Sequence, residues 1–227
     1  MAREWRGEPL PRGRHKLAAE TVRASQRERL IRAMLEGVAR HGYEETTVGE
    51  VVAIARVSRN AFYEFFSDKA DCFIATCDEE ARDLLRAVVA FAGEPDWLET
   101  MRLGVRAYLR WWAERPAFSR AYFTGLPAAG DRAIAQRSRA YGLFSQMFAE
   151  VGRRAHVQQP SLPPLPDLVP KMLVLSITEL VSAEVRAGRT ARLGELERDL
   201  VFVAVKLLAD DETARRLSAL DDDPQPA

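Results

Sequence analysis

Thr46-Thr47-Val48-Gly49-Glu50-Val51-Val52-Ala53-Ile54-Ala55-Arg56-Val57-Ser58-Arg59-Asn60-Ala61-Phe62-Tyr63-Glu64-Phe65-Phe66-Ser67-Asp68-Lys69 reads as two short helices across a tight turn. Thr47 with Glu50 three residues on has the form of a capping box, and Val48, Val51, Val52 and Ala55 recur at i, i+3, i+4 and i+7. After a break at Arg56 and Val57, a second short helix is expected from about Ser58 to Phe66, with Phe62 and Phe66 one turn apart as its anchor. Helices this short are marginal alone in water, so each must be held by packing against the other and against the helix before them. That preceding helix has its own capping box, Ser25 with Glu28, an inward stripe of Leu30, Ile31, Met34, Leu35 and Val38, and a stop at Gly42. One longer supporting helix followed by two short ones is the layout of a helix-turn-helix.

Working outward, helical periodicity continues and strand alternation is nowhere found, so the expected fold class is all-α: an N-terminal three-helix DNA-binding domain and a larger C-terminal helical domain. A short helical turn is possible around Ala18 to Arg23. Longer helices are expected over about Asp68 to Phe91, Asp96 to Arg115, Ala117 to Thr124 and Asp131 to Val157. A Pro-rich break at Pro160 to Pro166 separates these from a last pair, Leu168 to Ala187 and Gly194 to Ala209. The expected organisation is a flexible basic arm over 1–20, the helix-turn-helix domain over 21–68, a larger helical domain over 69–220, and an acidic, Pro-rich disordered tail over 221–227.

Composition narrows the class. Hydrophobic residues at 47% and charged residues at 29% fit a soluble globular chain rather than a disordered one. No apolar run approaches the roughly 18 residues of a membrane span, and the Arg-studded N-terminus lacks the apolar stretch of a secretory signal; a cytoplasmic protein without a membrane partner is expected. Cys72 and Cys77 stand five apart on one helix, about 7.5 Å along its axis and about 140° around it, outside disulfide reach and off any shared metal face. The chain is neutral overall, with 33 basic and 33 acidic side chains, but residues 1–40 hold ten Arg and Lys against five Glu. The charge belongs to the N-terminus. Arg12 and Arg14 lie there among Pro and Gly, and they suit either a solvated tail or an arm that enters a minor groove.

The quoted stretch, taken with its flanks over about residues 25–73, resembles the N-terminal domain of the tetracycline-repressor (TetR/AcrR) family of transcriptional regulators. The paired Thr, the Val-Ser-Arg before Phe-Tyr, and Phe66 followed by Ser-Asp-Lys carry the resemblance. Arg and Asn can make bidentate contacts to base edges, so Ser58, Arg59, Asn60 and Tyr63 at the start of the second short helix are the candidate readers of double-stranded DNA. Thr46, Thr47, Tyr63 and Lys69 are of the types that hold phosphates. By analogy with the family, Arg59, Asn60 and Tyr63 face the groove while Thr47 and Lys69 clamp the backbone. The chain departs from the family at Arg56, where a turn Gly is usual and a positive φ would cost about 1 kcal/mol, at Val52 for Ala, and at Phe65 for His. Glu64 is expected to face solvent rather than bases.

Ten of the nineteen aromatic residues fall between Trp97 and Phe148, which most simply makes a core. The resemblance implies in addition a cavity for a small hydrophobic or aromatic molecule, with Trp111, Phe118, Tyr122 and Phe144 as candidate lining. Glu179, in an otherwise apolar helix, could meet a ligand, an Arg or solvent. The last two helices are apolar nearly all round, which calls for burial by a second subunit; Leu173, Ile177, Leu180, Leu196, Leu200, Val203 and Leu207 are the candidate interface of a homodimer. His15, His41 and His156 match no metal spacing, and no phosphate loop, nucleophile elbow or zinc-protease helix is present, so neither an enzyme nor a cofactor is expected. The expected function is a ligand-responsive regulator, most simply a repressor released from a near-palindromic operator; the alternative is a constitutive or architectural DNA-binding dimer with no effector.

Overall fold

The structure, a computed structural model, describes residues 19–162 and 164–208. Arg12, Arg14 and the two terminal segments of the expected organisation lie wholly or largely outside the described residues. Among these residues the helices are α1 (Ala19–His41), α2 (Val48–Ala55), α3 (Arg59–Tyr63), α4 (Lys69–Val89), α5 (Trp97–Ala113), α6 (Pro116–Arg120), α7 (Asp131–Gln158), α8 (Leu168–Arg186) and α9 (Glu197–Leu208), and no strand is present. A π-helical turn over Ala121–Gly125 continues α6, and a 3-10 stretch over Thr190–Leu196 leads into α9.

α1 is continuous from Ala19, so Ser25 and Glu28 are interior residues and do not form the expected N-terminal capping box. The pattern was that of a helix start, but the good helix formers before it let the same helix propagate upstream. The box at α2 forms in half. Thr47 Oγ1 accepts the Glu50 amide at 3.2 Å, while the Glu50 carboxylate lies 3.2 Å from His41 Nε2. Ser58 caps α3 by accepting from the Ala61 amide at 3.0 Å, and Asp68 caps α4 by accepting from the Asp71 amide at 2.7 Å.

Leu30, Ile31, Met34 and Val38 of α1, Val51 and Ala55 of α2, and Phe62 and Phe66 meet in one core, as the stripe and the Phe pair predict. Cys72 and Phe73, from the first turns of α4, join that core. The Thr76 hydroxyl, one turn beyond Cys72, donates within α4 to the Cys72 carbonyl at 2.9 Å and lies 3.4 Å from the Ile31 carbonyl of α1. α4 is therefore seated on α1 at one end, and at its other end it packs against α5 and α7.

Candidate DNA-reading face and ligand cavity

Short helices expose their first turn, and α3 shows why that matters here. Ser58 spends its hydroxyl on the cap, leaving Arg59, Asn60 and Tyr63 exposed on the outer side, opposite buried Phe62. No hydrogen bond or ion pair among the described residues holds the Arg59 or Asn60 side chain, so their donors are free to meet a partner. Thr47 is exposed at the start of α2, where helix amides favour anions.

Two of the candidate phosphate holders are placed differently. Thr46 is fully buried; its hydroxyl donates to the Gly42 carbonyl at 2.8 Å, and its methyl packs where α1 passes so close that a Cβ on Gly37 would fall 2.9 Å from it. It cannot reach a phosphate from there. Lys69 donates to the carbonyls of Tyr43 and Glu44 at 2.8 and 3.0 Å, and its ammonium lies 4.4 Å from the Tyr43 ring centroid. Two of its three donors thus brace the α1–α2 loop.

The departures from the family pattern also have a physical resolution. Arg56 takes φ 54° and ψ 47°, the left-handed region that a turn Gly usually supplies. Arg29 of α1 donates to the carbonyls of Ala55 and Arg56 at 3.1 and 3.4 Å and holds that turn. Glu64 meets Arg23 at 3.4 Å, and the same guanidinium lies 5.0 Å from the Phe65 ring centroid. The acidic residue nearest the reading face is therefore paired within the chain.

Behind this domain, α4, α5, α7 and α8 enclose a cavity of about 540 Å³. Trp111, Phe118, Tyr122 and Phe144 all line it. On α4 the lining runs from Cys77 to Val89, about 18 Å at the helical rise. Its inner end is buried beside Trp112 and Tyr122, and the lining becomes exposed at Val89, Leu143, Gln146 and Glu150, which mark the opening. Burial pushes the Tyr108 hydroxyl up to about 12, with Thr178 and Trp112 opposing the shift, and pushes Tyr122 and Tyr141 upward as well. All three phenols are neutral donors at ordinary pH. Trp111 is latched from outside the cavity: its indole N–H donates to Asp83 at 3.0 Å, and the Arg115 guanidinium lies 4.4 Å from its ring centroid.

Glu179 does not line the cavity. It stands on the exposed side of α8 and pairs with Arg186 at 2.6 Å, the second of the three possibilities its position left open. The interface candidates divide in the same way. Leu173, Ile177 and Leu200 are buried in the chain's own core, and Leu196 packs partly against it, so the first three cannot form a surface. Leu180, Val203 and Leu207 are exposed, alongside Leu168, Met172, Leu175 and Phe202, which lie outside the seven interface candidates. Helical phase could have found them: Met172, Leu175 and Leu168 share one side of α8, away from Leu173 and Ile177.

A capped helix-turn-helix with free Arg and Asn donors, joined by one helix to an all-helical domain, is the arrangement that presents a helix to a DNA major groove. Residues 30–76 match the family described as bacterial regulatory proteins, tetR family. The HTH-type transcriptional repressor AcnR of Corynebacterium diphtheriae is 28% identical over 106 residues, 41% of this chain and 55% of that repressor, so the chain spans about half the length of this curated relative. In fold, the chain is similar to the fatty acid degradation regulator FadR of Bacillus halodurans, with TM-score 0.67 and 16% identity over 78% of this chain and 97% of that one. FadR of Bacillus subtilis, solved in complex with stearoyl-CoA, gives TM-score 0.68 and 14% identity over 81% and 97% of the two chains. Residues 30–76 are thus similar to the DNA-binding segment of the tetR family, and the likeness to the two solved regulators is one of fold.

Proposed function

We propose that the chain is a repressor that binds a near-palindromic operator as a homodimer and leaves it when a hydrophobic effector enters the cavity. The observation that carries this reading is the double duty of α4, which is seated on α1 at Cys72 and Thr76 and walls the cavity from Cys77 onward. An effector that prefers a different setting of α4 would shift the α3 helices relative to one another and so oppose DNA binding. It can do so only through differential affinity for the two arrangements. The stearoyl-CoA held by the Bacillus subtilis relative supports an elongated apolar effector. In the dimer, two α3 helices would meet half-sites about 34 to 36 Å apart, or that distance plus further turns.

The experiment is to recover the operator by pull-down of genomic DNA, then titrate a bound apolar ligand in its presence and absence. Typical couplings of about 1 to 3 kcal/mol predict a 5- to 150-fold loss of ligand affinity on the operator, matched by an equal loss of operator affinity with ligand. Equal affinities in both titrations would leave the constitutive dimer as the correct reading.

A further inference from the structure

Within the mostly apolar cavity, α5, α7 and α8 bring hydroxyls together at one place. Tyr108 Oη lies 3.4 Å from Thr178 Oγ1, and the Thr178 hydroxyl is near enough to ease the burial shift of Tyr141. Thr178 is 8% exposed and Trp112 4%. The Trp112 indole nitrogen is sealed from solvent and has no hydrogen-bond partner, although it approaches the Tyr108 hydroxyl. Tyr108 lies deep in the domain yet is only part-buried, because the surface it keeps faces the cavity. A buried donor without a partner is costly, and structures retain one where something else completes it.

The charges that line the cavity are already engaged. Among its lining residues only Glu150 and Arg154 are charged, and both belong to the far end of α7, near the opening. Arg154 donates to the Ala92 and Glu94 carbonyls and lies 3.4 Å from Thr100 Oγ1; Glu150 pairs with Arg153. Arg137, 5.8 Å from the Tyr141 ring centroid, is not part of the lining. A carboxylate at the inner hydroxyls would be buried with no cation among the lining residues, Arg137 reaching the Tyr122 and Tyr141 hydroxyls only through its field, whereas a neutral oxygen would meet donors suited to it.

We propose that Tyr108, Thr178 and Tyr141 cradle an uncharged oxygen of the effector, an ester, ketone or lactone carbonyl or an alcohol, with its apolar chain lying along α4 toward the opening. This rests on the cavity being the effector site. When the Tyr108 hydroxyl donates to that oxygen, its own lone pair is presented to the Trp112 N–H, so effector oxygen, Tyr108 and Trp112 form one hydrogen-bonded chain.

Displacement of the hydrocarbon dye diphenylhexatriene from the full chain tests the assignment, with methyl laurate, lauryl alcohol and ionised laurate as competitors. The ester and the alcohol are expected to displace the dye at about tenfold lower concentration than laurate. Tyr108→Phe and Thr178→Val should each weaken the ester by up to about tenfold relative to the dye, and cooperative thermal unfolding certifies the fold of the variants. If dye and ester bind but neither substitution weakens the ester, or if laurate competes as well as the ester, the cradle is overturned and the effector reading stands. If the wild-type protein takes up neither dye nor ester, the effector reading falls and the cradle with it.

Discussion

Arg56 holds a left-handed backbone at φ 54°, the one positive φ of a non-glycine residue among the described residues, and the sequence announced it by putting Arg where the family turn has Gly. That conformation costs a side chain about 1 to 2 kcal/mol, and Gly returns part of the gain through its freer unfolded chain. Arg56→Gly is therefore expected to raise stability by up to about 1 kcal/mol, seen as a higher urea midpoint at constant slope; a lower midpoint would mean that the Arg side chain stabilises the turn. Lys69 carries a second expectation at this scale. Because its ammonium braces the Tyr43 and Glu44 carbonyls, Lys69→Met should lower the stability of the DNA-free protein by about 1 kcal/mol, read by thermal unfolding. A residue used solely for phosphate would leave that melting temperature unmoved. Thr46 and Thr47 show the limit of residue-level reading. Both are of the type that holds phosphates, but Thr46 is taken into the core where α1 approaches at Gly37; the capping box marks Thr47 as the helix start, and nothing local announces the burial of Thr46.

At the scale of elements, the connection between cavity and DNA-binding domain includes the π-helical turn Ala121–Gly125, which the periodicity merged into one helix ending at Thr124. One wide turn does not alter the hydrophobic stripe enough to be seen, and π-turns gather at functional sites. This turn places Tyr122 on the cavity and Gly125 against Tyr43 of the α1–α2 loop, where an added Cβ would lie 2.8 Å from the Tyr43 Cβ. The Tyr43 ring in turn lies 4.9 Å from that of Phe73 of α4, tilted by 38°, and its carbonyl accepts from Lys69. Gly125→Ala should therefore cost about 1 to 3 kcal/mol by overpacking, and, because Tyr43 must move, should weaken operator binding in the absence of effector. Loss of stability with unchanged operator affinity of the folded fraction would show that the contact is packing alone. The helix-turn-helix was legible because caps and anchors sit at short, fixed offsets in the chain. The α1 start was not, since an interior Ser-x-x-Glu looks like a cap until the helix before it is known.

For the whole molecule, the question is what covers the outer faces of α8 and α9. The sequence placed seven candidates on one interface because helices apolar all round do not say which face turns inward. The fold divides them, with Leu173, Ile177 and Leu200 in the core and Leu180, Val203 and Leu207 exposed beside Met172, Leu175 and Phe202. Large apolar side chains clustered on an otherwise charged surface mark an interaction site, and a two-fold pairing of α8 and α9 would bury them against their own copies. The two groups make opposite predictions for the same chemical change. Leu180→Glu with Val203→Glu should leave helical content and cooperative unfolding intact, produce monomers in sedimentation equilibrium, and weaken operator binding because the two half-sites are no longer tethered. Leu200→Glu should instead unfold the chain, since a carboxylate without a cation would be buried among Leu193, Val201 and Ala204. A wild-type protein that sediments as a monomer at micromolar concentration, or a Leu180→Glu, Val203→Glu variant that remains dimeric, would place the subunit contact elsewhere.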